Sequence, residues 1–331
     1  MTLRPTIAIT MGDPTGIGPE VTARALVRQA VWDCCRPLVI GDAAVIGQAL
    51  TLLDNPLTIH RVSAVNEAGF DPDVPDVLDL RNVDLSTLQP GKVSAAAGHA
   101  SVEYVEKAVE LAQAGEVDGI TTGPINKAAL QAAGIPHIGH TEILAALTGE
   151  ERLTTMLATN GLKVVHVTRH APLQEVASAI TRERVLETIR LTDAGLRTIG
   201  IERPTLAVAA LNPHGGDDGL LGREEKEQIG PAVASARAEG IEVQGPIPAD
   251  SVFFRAIRGE FDAVVAMYHD QGHIPIKTHG FERSVTVTLG LPIIRTSVDH
   301  GTAFDIAWRG LANEESLVQA VQLAAQMAAG R

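Results

Sequence analysis

Short apolar runs alternate with longer amphipathic stretches along most of this 331-residue chain. The short runs are rich in branched residues and bounded by Gly, Pro or Asp, which predicts buried strands at 6–10, 37–41, 57–62, 77–80 and 119–122. Apolar positions at helical spacing predict helices over 19–29, 43–53, 94–114, 127–133, 182–198, 223–239 and 314–329. Strands that alternate with helices in this way predict an α/β fold with a mostly parallel sheet and helices on both faces.

Three further apolar runs break abruptly into polar residues that include a histidine. The segments LKVVHVTRHAP, TLAVAALNPHGG and AVVAMYHDQGHIPIK lead to His170, His214 and His269. Ligands bind at the carboxyl ends of parallel strands, and three neutral imidazoles can hold a metal while leaving positions for substrate or water. The pattern favours a three-histidine metal site; three unrelated hydrogen-bonding histidines are the alternative. His166, inside the first strand, is interpreted as structural.

Composition narrows the class of protein. The 45% hydrophobic content suffices for a core, which must be aliphatic because aromatic residues make up only 3%. A net charge of -13 argues against nucleic acid as the main partner, and an anionic substrate needs local cations. The two cysteines, Cys34 and Cys35, are adjacent and form neither a disulfide framework nor a metal motif. The sequence has no apolar run of membrane-spanning length, so we expect a cytoplasmic protein without membrane contacts.

A glycine-rich loop, MGDPTGIGPE, joins the first strand to the first helix. Free backbone N–H groups and the helix dipole favour anionic groups at such a helix start. Gly12, Gly16 and Gly18 do not form the GxGxxG fingerprint, and the GK[ST] of a phosphate-binding loop is absent from the loop. The loop is therefore either an anion-binding loop or only a tight turn.

A second candidate loop is DHGTAFDIAWRGLAN at 299–313. Its small residues, with His300, Asp305 and Asn313, suit a backbone laid against a flat ligand. The alternative is a helix entry capped by Thr302.

Several motifs in order carry a resemblance that covers nearly the whole chain. They are MGDPTGIGPE, TTGPINK, GHTE, LNPHGG, PAD, MYHDQGH and TLGLPIIRTSVDHGTA. The chain resembles the 4-hydroxythreonine-4-phosphate dehydrogenase family of vitamin B6 biosynthesis. The resemblance implies a two-domain α/β/α sandwich similar to isocitrate and isopropylmalate dehydrogenases, with residues 1–135 plus 285–331 in one domain and 136–284 in the other. It also implies an active site in the interdomain cleft at a homodimer interface.

Residue by residue, the resemblance implies a shared site. The divalent metal, Zn, Mg, Mn or Co, is implied to bind His170 of one chain and His214 and His269 of the other. The implied substrate-binding residues are His140, Thr141, Lys277, Thr286 and Arg295. The implied residues for NAD or NADP are Gly12, Asp13, Gly16, Gly18, His300, Gly301, Thr302, Asp305 and Asn313.

The implied reaction is metal-dependent oxidation of a C3 hydroxyl, followed by decarboxylation of the 3-keto acid. Lys277, and Asp250 or Asp270, are candidates for proton transfer or for orienting the metal ligands. Lys277 and Arg295 can supply the cations that a phosphorylated substrate needs.

Two alternatives remain open. Where the family usually has Asn, this chain has Thr286, and GHIPIK and AFDIAW resemble a branch acting on 4-phospho-threonate or 4-phospho-erythronate. Either substrate class fits the same reaction. A metal-dependent hydrolase is the alternative of another class, because a metal-bound hydroxide also suits a three-histidine site. A hydrolase would not need the glycine-rich loop and the HGTA loop, which favours the dehydrogenase.

Overall fold

A computed structural model describes residues 4–330 of the chain. Its strands are β1 Thr6–Thr10, β2 Arg36–Gly41, β3 His60–Val62, β4 Asp76–Asp79, β5 Gly119–Thr122, β6 Thr154–Thr159, β7 Leu162–His166, β8 Thr205–Ala209, β9 Glu242–Ile247, β10 Ala263–Ala266, β11 Val285–Leu289 and β12 Arg295–Val298. Its α-helices are α1 Gly18–Leu26, α2 Gln29–Cys34, α3 Ala43–Leu52, α4 Ala95–Gln113, α5 Lys127–Ala132, α6 His140–Thr148, α7 Leu173–Ala179, α8 Arg182–Thr198, α9 Gly230–Ala238, α10 Ala249–Ile257, α11 His269–Gly280 and α12 Glu315–Ala329. Among these described residues, no helix combines the length and the apolar character that crossing a membrane requires.

The chain forms two compact units, the first of which runs to Glu151 and resumes at Leu291–Gly330. Its strands lie in the order β3-β4-β2-β1-β5-β12, and every pairing among them is parallel. The strands β1 and β5 are buried throughout, as expected for a parallel sheet whose faces are covered. Helices α4 and α12 pack against these strands.

The second unit is Arg152–Gly290. Its strands lie in the order β11-β6-β7-β10-β8-β9, with antiparallel pairing of β11 to β6 and β6 to β7 and parallel pairing of the rest. The β6–β7 hairpin turns at Asn160 and Gly161, both at positive φ, a conformation that an Asn-Gly pair between two strands favours. Apolar side chains of β7, β8 and β10 form one core cluster with α10 and Ile276 of α11. The mostly parallel α/β architecture predicted from the sequence is confirmed.

The divisions between the units follow Glu151 and Gly290, 16 and 6 residues beyond the domain boundaries of 135 and 284 that the resemblance implies and that stay a prediction. Residues 136–151 belong to the first unit because α6 packs against α4. Residues 285–290 belong to the second, because β11 forms a full antiparallel ladder with β6. Both shifts arise from contacts distant in sequence.

Two element predictions differ from the structure. The strand expected at 57–62 is limited to His60–Val62. The helix expected at 223–239 begins as a π-helical segment, Glu225–Ile229, and continues as α9. Residues after His269 form α11, a helix that the apolar pattern does not predict, and Pro275 lies inside it.

Candidate active site

The three histidine-bearing segments follow three neighbouring parallel strands of the second unit. Strand β10 pairs in parallel with β7 on one side and with β8 on the other. Their carboxyl ends therefore meet at one edge of the sheet, where open α/β sheets bind ligands. His170 lies four residues beyond β7, His214 five beyond β8, and His269 begins α11 after β10.

Within this edge the structure brings His170 and His269 together. Their ring centroids lie 5.9 Å apart. His170 and His214 are exposed, and His269 is half-buried. Across residues 4–330, no group of three or more His, Cys, Asp or Glu side chains is placed to hold a metal ion within one chain. The three-histidine metal site therefore stays a prediction.

His269 is the most firmly oriented of the three histidines. Its Nδ1 lies 2.7 Å from Oδ1 of Asp270, an arrangement that fixes the ring and leaves Nε2 for another partner. The imidazole of His273, one helical turn later, stacks on His269 at 3.6 Å between centroids and 10° between planes. Nδ1 of His273 lies 3.0 Å from the carbonyl oxygen of His269.

His166 lies behind this pair, at the end of β7. It is 3% exposed, and its ring centroid is 4.7 Å from that of His273. Burial, and after it the nearby imidazole of His273, lowers the pKa of His166 to about 3. A Cβ on Gly272 would stand 2.2 Å from Nε2 of His166, so only glycine fits there without displacing the ring. His166 is thus a neutral, packed imidazole.

His214 lies in an unusual left-handed turn, Pro213–Gly219. Six consecutive residues, 214–219, have positive φ, and His214, Asp217 and Asp218 among them are not glycine. Left-handed backbone costs L-residues about 1–2 kcal/mol each, somewhat less for Asp, so neighbouring contacts must maintain it. Strain of this kind is concentrated at functional sites.

Gln271 joins two of the three strand ends. The side chain is 8% exposed; Oε1 accepts a hydrogen bond from the Met267 backbone N–H at 2.7 Å, and Nε2 donates to the Ala210 carbonyl at 2.7 Å. This buried amide fixes the segment after β10 against the segment after β8.

The remaining catalytic and substrate candidates of the second unit lie on separate elements. Lys277 is half-buried on α11, with Nζ 4.9 Å from the Phe281 ring centroid. Asp250 is exposed in the first turn of α10. Thr286 is half-buried on β11, opposite Leu157 of β6.

In the first unit the buried guanidinium of Arg295 lies near the half-buried imidazole of His140. Arg295 on β12 is 4% exposed, and its Nη2 donates to Thr122 Oγ1 at 2.6 Å. Burial lowers the pKa of Arg295 to about 9. Burial, and after it the charge of Arg295, lowers the pKa of His140 well below its usual range. His140 is therefore neutral near pH 7, at the first residue of α6, and its buried Nε2 has no hydrogen-bond partner among the described residues. Thr141 follows it in the same helical turn.

The two loops proposed for the cofactor lie against each other in the first unit. Ile17 N–H donates to the Thr302 carbonyl at 3.0 Å, and Trp308 Nε1 donates to the Pro14 carbonyl at 3.0 Å. A Cβ on Gly16 would stand 2.8 Å from Cβ of Thr302, whereas one on Gly301 would meet no atom within 4 Å. Close packing against Thr302 explains why residue 16 is a glycine. At Gly301 no neighbouring atom would exclude a side chain, so packing does not explain that glycine.

Other cofactor candidates have mainly internal contacts. A Cβ on Gly12 would stand 2.5 Å from the Pro124 carbonyl oxygen, and one on Gly18 would stand 2.2 Å from that of Met11. Burial raises the pKa of Asp13. Its Oδ1 accepts two hydrogen bonds from Thr15, whereas its Oδ2 accepts none among residues 4–330.

The candidates from 300 onwards lie along the second loop. Asn313 accepts a hydrogen bond from the Glu315 backbone N–H at 2.8 Å and so precedes α12. Nδ1 of His300 lies 3.0 Å from the Gly301 carbonyl oxygen. Asp305 is exposed.

Sequence reasoning missed Gln271, His273 and Glu225, the last of which binds the segment after β8. His273 has a signal, since it follows His269 by four residues and would share its face of a helix. Gln271 binds a backbone carbonyl 61 residues earlier in the chain, and Glu225 binds backbone N–H groups 14 and 13 residues earlier, so the sequence offers no local signal for either.

Residues 33–324 match the family described as pyridoxal phosphate biosynthetic protein PdxA. A protein of Symbiobacterium thermophilum, provisionally named a D-threonate 4-phosphate dehydrogenase, is 50% identical over 329 residues, covering 99% of this chain and 98% of the relative.

Two crystal structures of 4-hydroxythreonine-4-phosphate dehydrogenases are similar over the whole length. That from Burkholderia phymatum has 46% identity and a TM-score of 0.89, and that from Klebsiella pneumoniae has 44% identity and a TM-score of 0.91. Each alignment covers 98% of this chain and 99% of the other. These relatives are dehydrogenases, so the prediction of an oxidoreductase is confirmed over that of a hydrolase. This chain belongs to the PdxA family of dehydrogenases.

Proposed function

We propose that this chain is a metal-dependent NAD or NADP dehydrogenase that oxidises the C3 hydroxyl of a 4-phosphorylated four-carbon hydroxy acid, with loss of carbon dioxide. The observation that carries the proposal is the adjacency of β7, β10 and β8, whose carboxyl ends lead to His170, His269 and His214. Of the two substrates considered, we propose D-threonate 4-phosphate, because the relative with 50% identity carries that provisional name. The 44–46% identical structures support 4-hydroxythreonine 4-phosphate as the second candidate.

The histidines suit a divalent metal by their chemistry. Asp270 engages Nδ1 of His269 at 2.7 Å, the carboxylate–histidine arrangement that commonly supports a metal ligand. His170 and His214 are exposed and lie at the same sheet edge. Zn, Mn, Co or Mg bound there would supply Lewis acidity, which lowers the pKa of a coordinated hydroxyl.

The residues of the chain then have separate roles. Asp270 orients His269, and Lys277 or Asp250 holds or accepts the proton released from the C3 hydroxyl. Neutral His140 hydrogen-bonds a substrate oxygen through Nε2, with Thr141 beside it in the first helical turn. The buried guanidinium of Arg295 binds an anionic substrate group, because its planar N–H donors match the oxygens of a carboxylate or phosphate.

The loops at 11–18 and 299–313 hold the nicotinamide cofactor in this proposal, supported by their mutual packing and by the open space at Gly301. NAD or NADP would supply the hydride acceptor. The protein would work in the cytoplasm, a setting in which its two free cysteines stay reduced.

A homodimer is part of the proposal. The second unit exposes several large apolar side chains, and a subunit interface that covered them would remove apolar surface from water. They are Leu173, Leu220, Leu221, Phe254, Ile257, Ile274 and Phe281. A two-fold interface over this surface would bury them, and it would let one chain contribute a histidine to its partner's metal site.

Chelation should abolish activity, and added Zn, Mn, Co or Mg should restore it. The test uses D-threonate 4-phosphate and 4-hydroxythreonine 4-phosphate with NAD and with NADP, following the absorbance of the reduced cofactor. The expected result is turnover that depends on metal, with the threonate substrate preferred. Full turnover by thoroughly metal-stripped protein would remove the metal from the mechanism, and inactivity towards both substrates would reject the substrate class.

Mixing inactive His170→Ala with inactive His269→Ala should regenerate activity under conditions in which subunits exchange. A heterodimer then contains one intact site, provided that His170 acts in the neighbouring chain's site. Because the two rings also lie 5.9 Å apart within one chain, the alternative is that one chain supplies both. A mixture that remains inactive despite verified exchange would favour that alternative.

Thr286→Asn should shift the ratio of kcat/KM by about tenfold or more towards 4-hydroxythreonine 4-phosphate. An Asn amide carries a paired donor and acceptor that a Thr hydroxyl lacks, and one such contact contributes about 1–3 kcal/mol to discrimination. Steady-state kinetics with both substrates measures the ratio. Thr288→Asn, a change on the same strand at a buried position, controls for a general disturbance of β11. Parallel changes in both rates with an unchanged ratio would assign Thr286 to support of the strand only.

A further inference from the structure

The left-handed turn that carries His214 is anchored by a carboxylate that the proposed chemistry does not use. We propose that Glu225 is a positioning residue, which holds the backbone entering this turn and thereby sets the position of His214. This inference rests on the proposed metal site and deepens it.

Glu225 is 5% exposed and directs both carboxylate oxygens to the chain before the turn. Its Oε1 accepts hydrogen bonds from the backbone N–H groups of Leu211, at 2.8 Å, and Asn212, at 2.7 Å. Its Oε2 accepts a third from Nδ2 of Asn212, at 3.0 Å. Three donors converge on one buried carboxylate directly before Pro213, where the turn begins.

The turn itself is shaped around the same carboxylate. A Cβ on Gly216 would lie 2.7 Å from Oε2 of Glu225, so the middle of the turn passes over that oxygen. Six residues in succession at positive φ do not persist without such outside contacts, because each non-glycine residue prefers another conformation.

The neighbours of Glu225 in sequence secure the two ends of the turn. Glu224 Oε2 accepts a hydrogen bond from Asn212 Nδ2 at 2.7 Å, and Lys226 Nζ forms an ion pair with Asp218 Oδ1 at 2.7 Å. Of the three, only Glu225 is buried, whereas Lys226 and Asp218 are exposed and contribute little in water. Glu225 begins a π-helical segment, a rare geometry that is frequent at functional sites.

The test measures binding of cobalt alone to the metal-free full-length protein, together with amide hydrogen exchange of residues 211–221. Glu225→Ala should weaken cobalt binding by about 10- to 100-fold, the effect typical of losing an outer contact to a metal ligand, and should speed exchange in the turn. Glu225→Gln keeps an acceptor for the two backbone N–H groups but turns a donor towards Asn212. Its loss of cobalt affinity should therefore be smaller than that of Glu225→Ala.

The matched control is Glu227→Ala, two residues further along the same segment. Glu227 is exposed and forms an ion pair with Arg223 at 3.0 Å, so its removal should change neither cobalt affinity nor exchange. If Glu225→Ala does not fold, Asn212→Ala and Glu225→Gln carry the same test, because each removes part of the anchor.

His214→Ala separates the inference from the proposed function. If Glu225 acts through His214, the double variant Glu225→Ala/His214→Ala should bind cobalt no more weakly than His214→Ala alone. Cobalt binding lost in His214→Ala but retained in Glu225→Ala overturns the positioning role. If His214→Ala binds cobalt as the wild type does, the proposed metal site fails, and amide hydrogen exchange alone then tests the role of Glu225. Faster exchange of residues 211–221 in Glu225→Ala supports the hold of Glu225 on the turn. Unchanged exchange overturns it.

Discussion

Replacement of His214 by alanine should lower kcat/KM by about 1000-fold, whereas His166→Ala should leave most of the activity of the folded enzyme. A metal contributes several kcal/mol to stabilisation of developing charge, and about 4 kcal/mol corresponds to about 1000-fold in rate. His214 is exposed at the sheet edge, while His166 is 3% exposed and packs on His273. The first substitution removes a proposed ligand, and the second removes a packed ring.

The comparison is made on both variants at equal folded fraction, with bound metal measured on each. The expected pattern is a His214→Ala protein that unfolds like the wild type but binds little metal, and a His166→Ala protein that is less stable but still binds metal. Equal losses of activity and of metal in the two variants would remove the distinction between ligand and structural histidine.

The sequence predicted which segments reach the candidate site, but not which strands lie next to one another in the sheet. Apolar runs ending at His170, His214 and His269 are a local pattern, and the strands β7, β8 and β10 lie where that pattern predicts. Their order in the sheet, with β10 between β7 and β8, depends on pairing between residues up to about a hundred positions apart, as from Val164 to Val264. The pattern of apolar residues along one strand does not indicate which distant strand will pair with it.

Helix α11 was missed because its composition argues against a helix. Gly272 and Pro275 both lie inside it, and each has a poor helical propensity. Tertiary contacts outweigh that preference: Gly272 lies against His166, and Ile276 joins the apolar core. The four-residue spacing of His269 and His273 therefore predicts their stacking only if a helix is assumed, and local propensity argues against that helix.

The left-handed turn is a second case of long-range control. Its sequence, PHGGDDG, is rich in turn-forming residues, which indicate a turn but not its left-handed conformation. Positive φ at His214 and at two successive aspartates is not a preference of these residues, and the contacts of Glu225 with Leu211 and Asn212 accompany it.

The glycine-rich loop of the first unit shows what sequence can leave open. Both interpretations, an anion-binding loop and a tight turn, were compatible with Gly12, Gly16 and Gly18. A Cβ at each of these positions would lie within 3 Å of protein atoms. Packing therefore explains all three glycines, and any cofactor role must rest on other features of the loop, such as its contact with Thr302.

The metal-free protein should lose about 3 kcal/mol of unfolding free energy between pH 7 and pH 4 through His166 alone. Burial, and after it the neighbouring His273, lowers the pKa of His166 to about 3 in the folded chain, against about 6.5 in an unfolded one. Between these values the unfolded state binds a proton that the folded state does not. Stability is therefore retained above about pH 6.5 and falls as the pH decreases, by up to about 1.4 kcal/mol per pH unit.

His166→Asn should be less stable at pH 7 but should show a flatter decline towards pH 4, because asparagine does not titrate. Denaturant unfolding of metal-free protein at a series of pH values measures both curves. His99→Asn, an exposed site on α4, is the matched control and should follow the wild-type curve. Parallel curves of unfolding free energy against pH for the wild type and His166→Asn would contradict the prediction. They would mean that the imidazole of His166 accepts a proton while the protein stays folded, and that Gly272 and His273 rearrange around it at low pH.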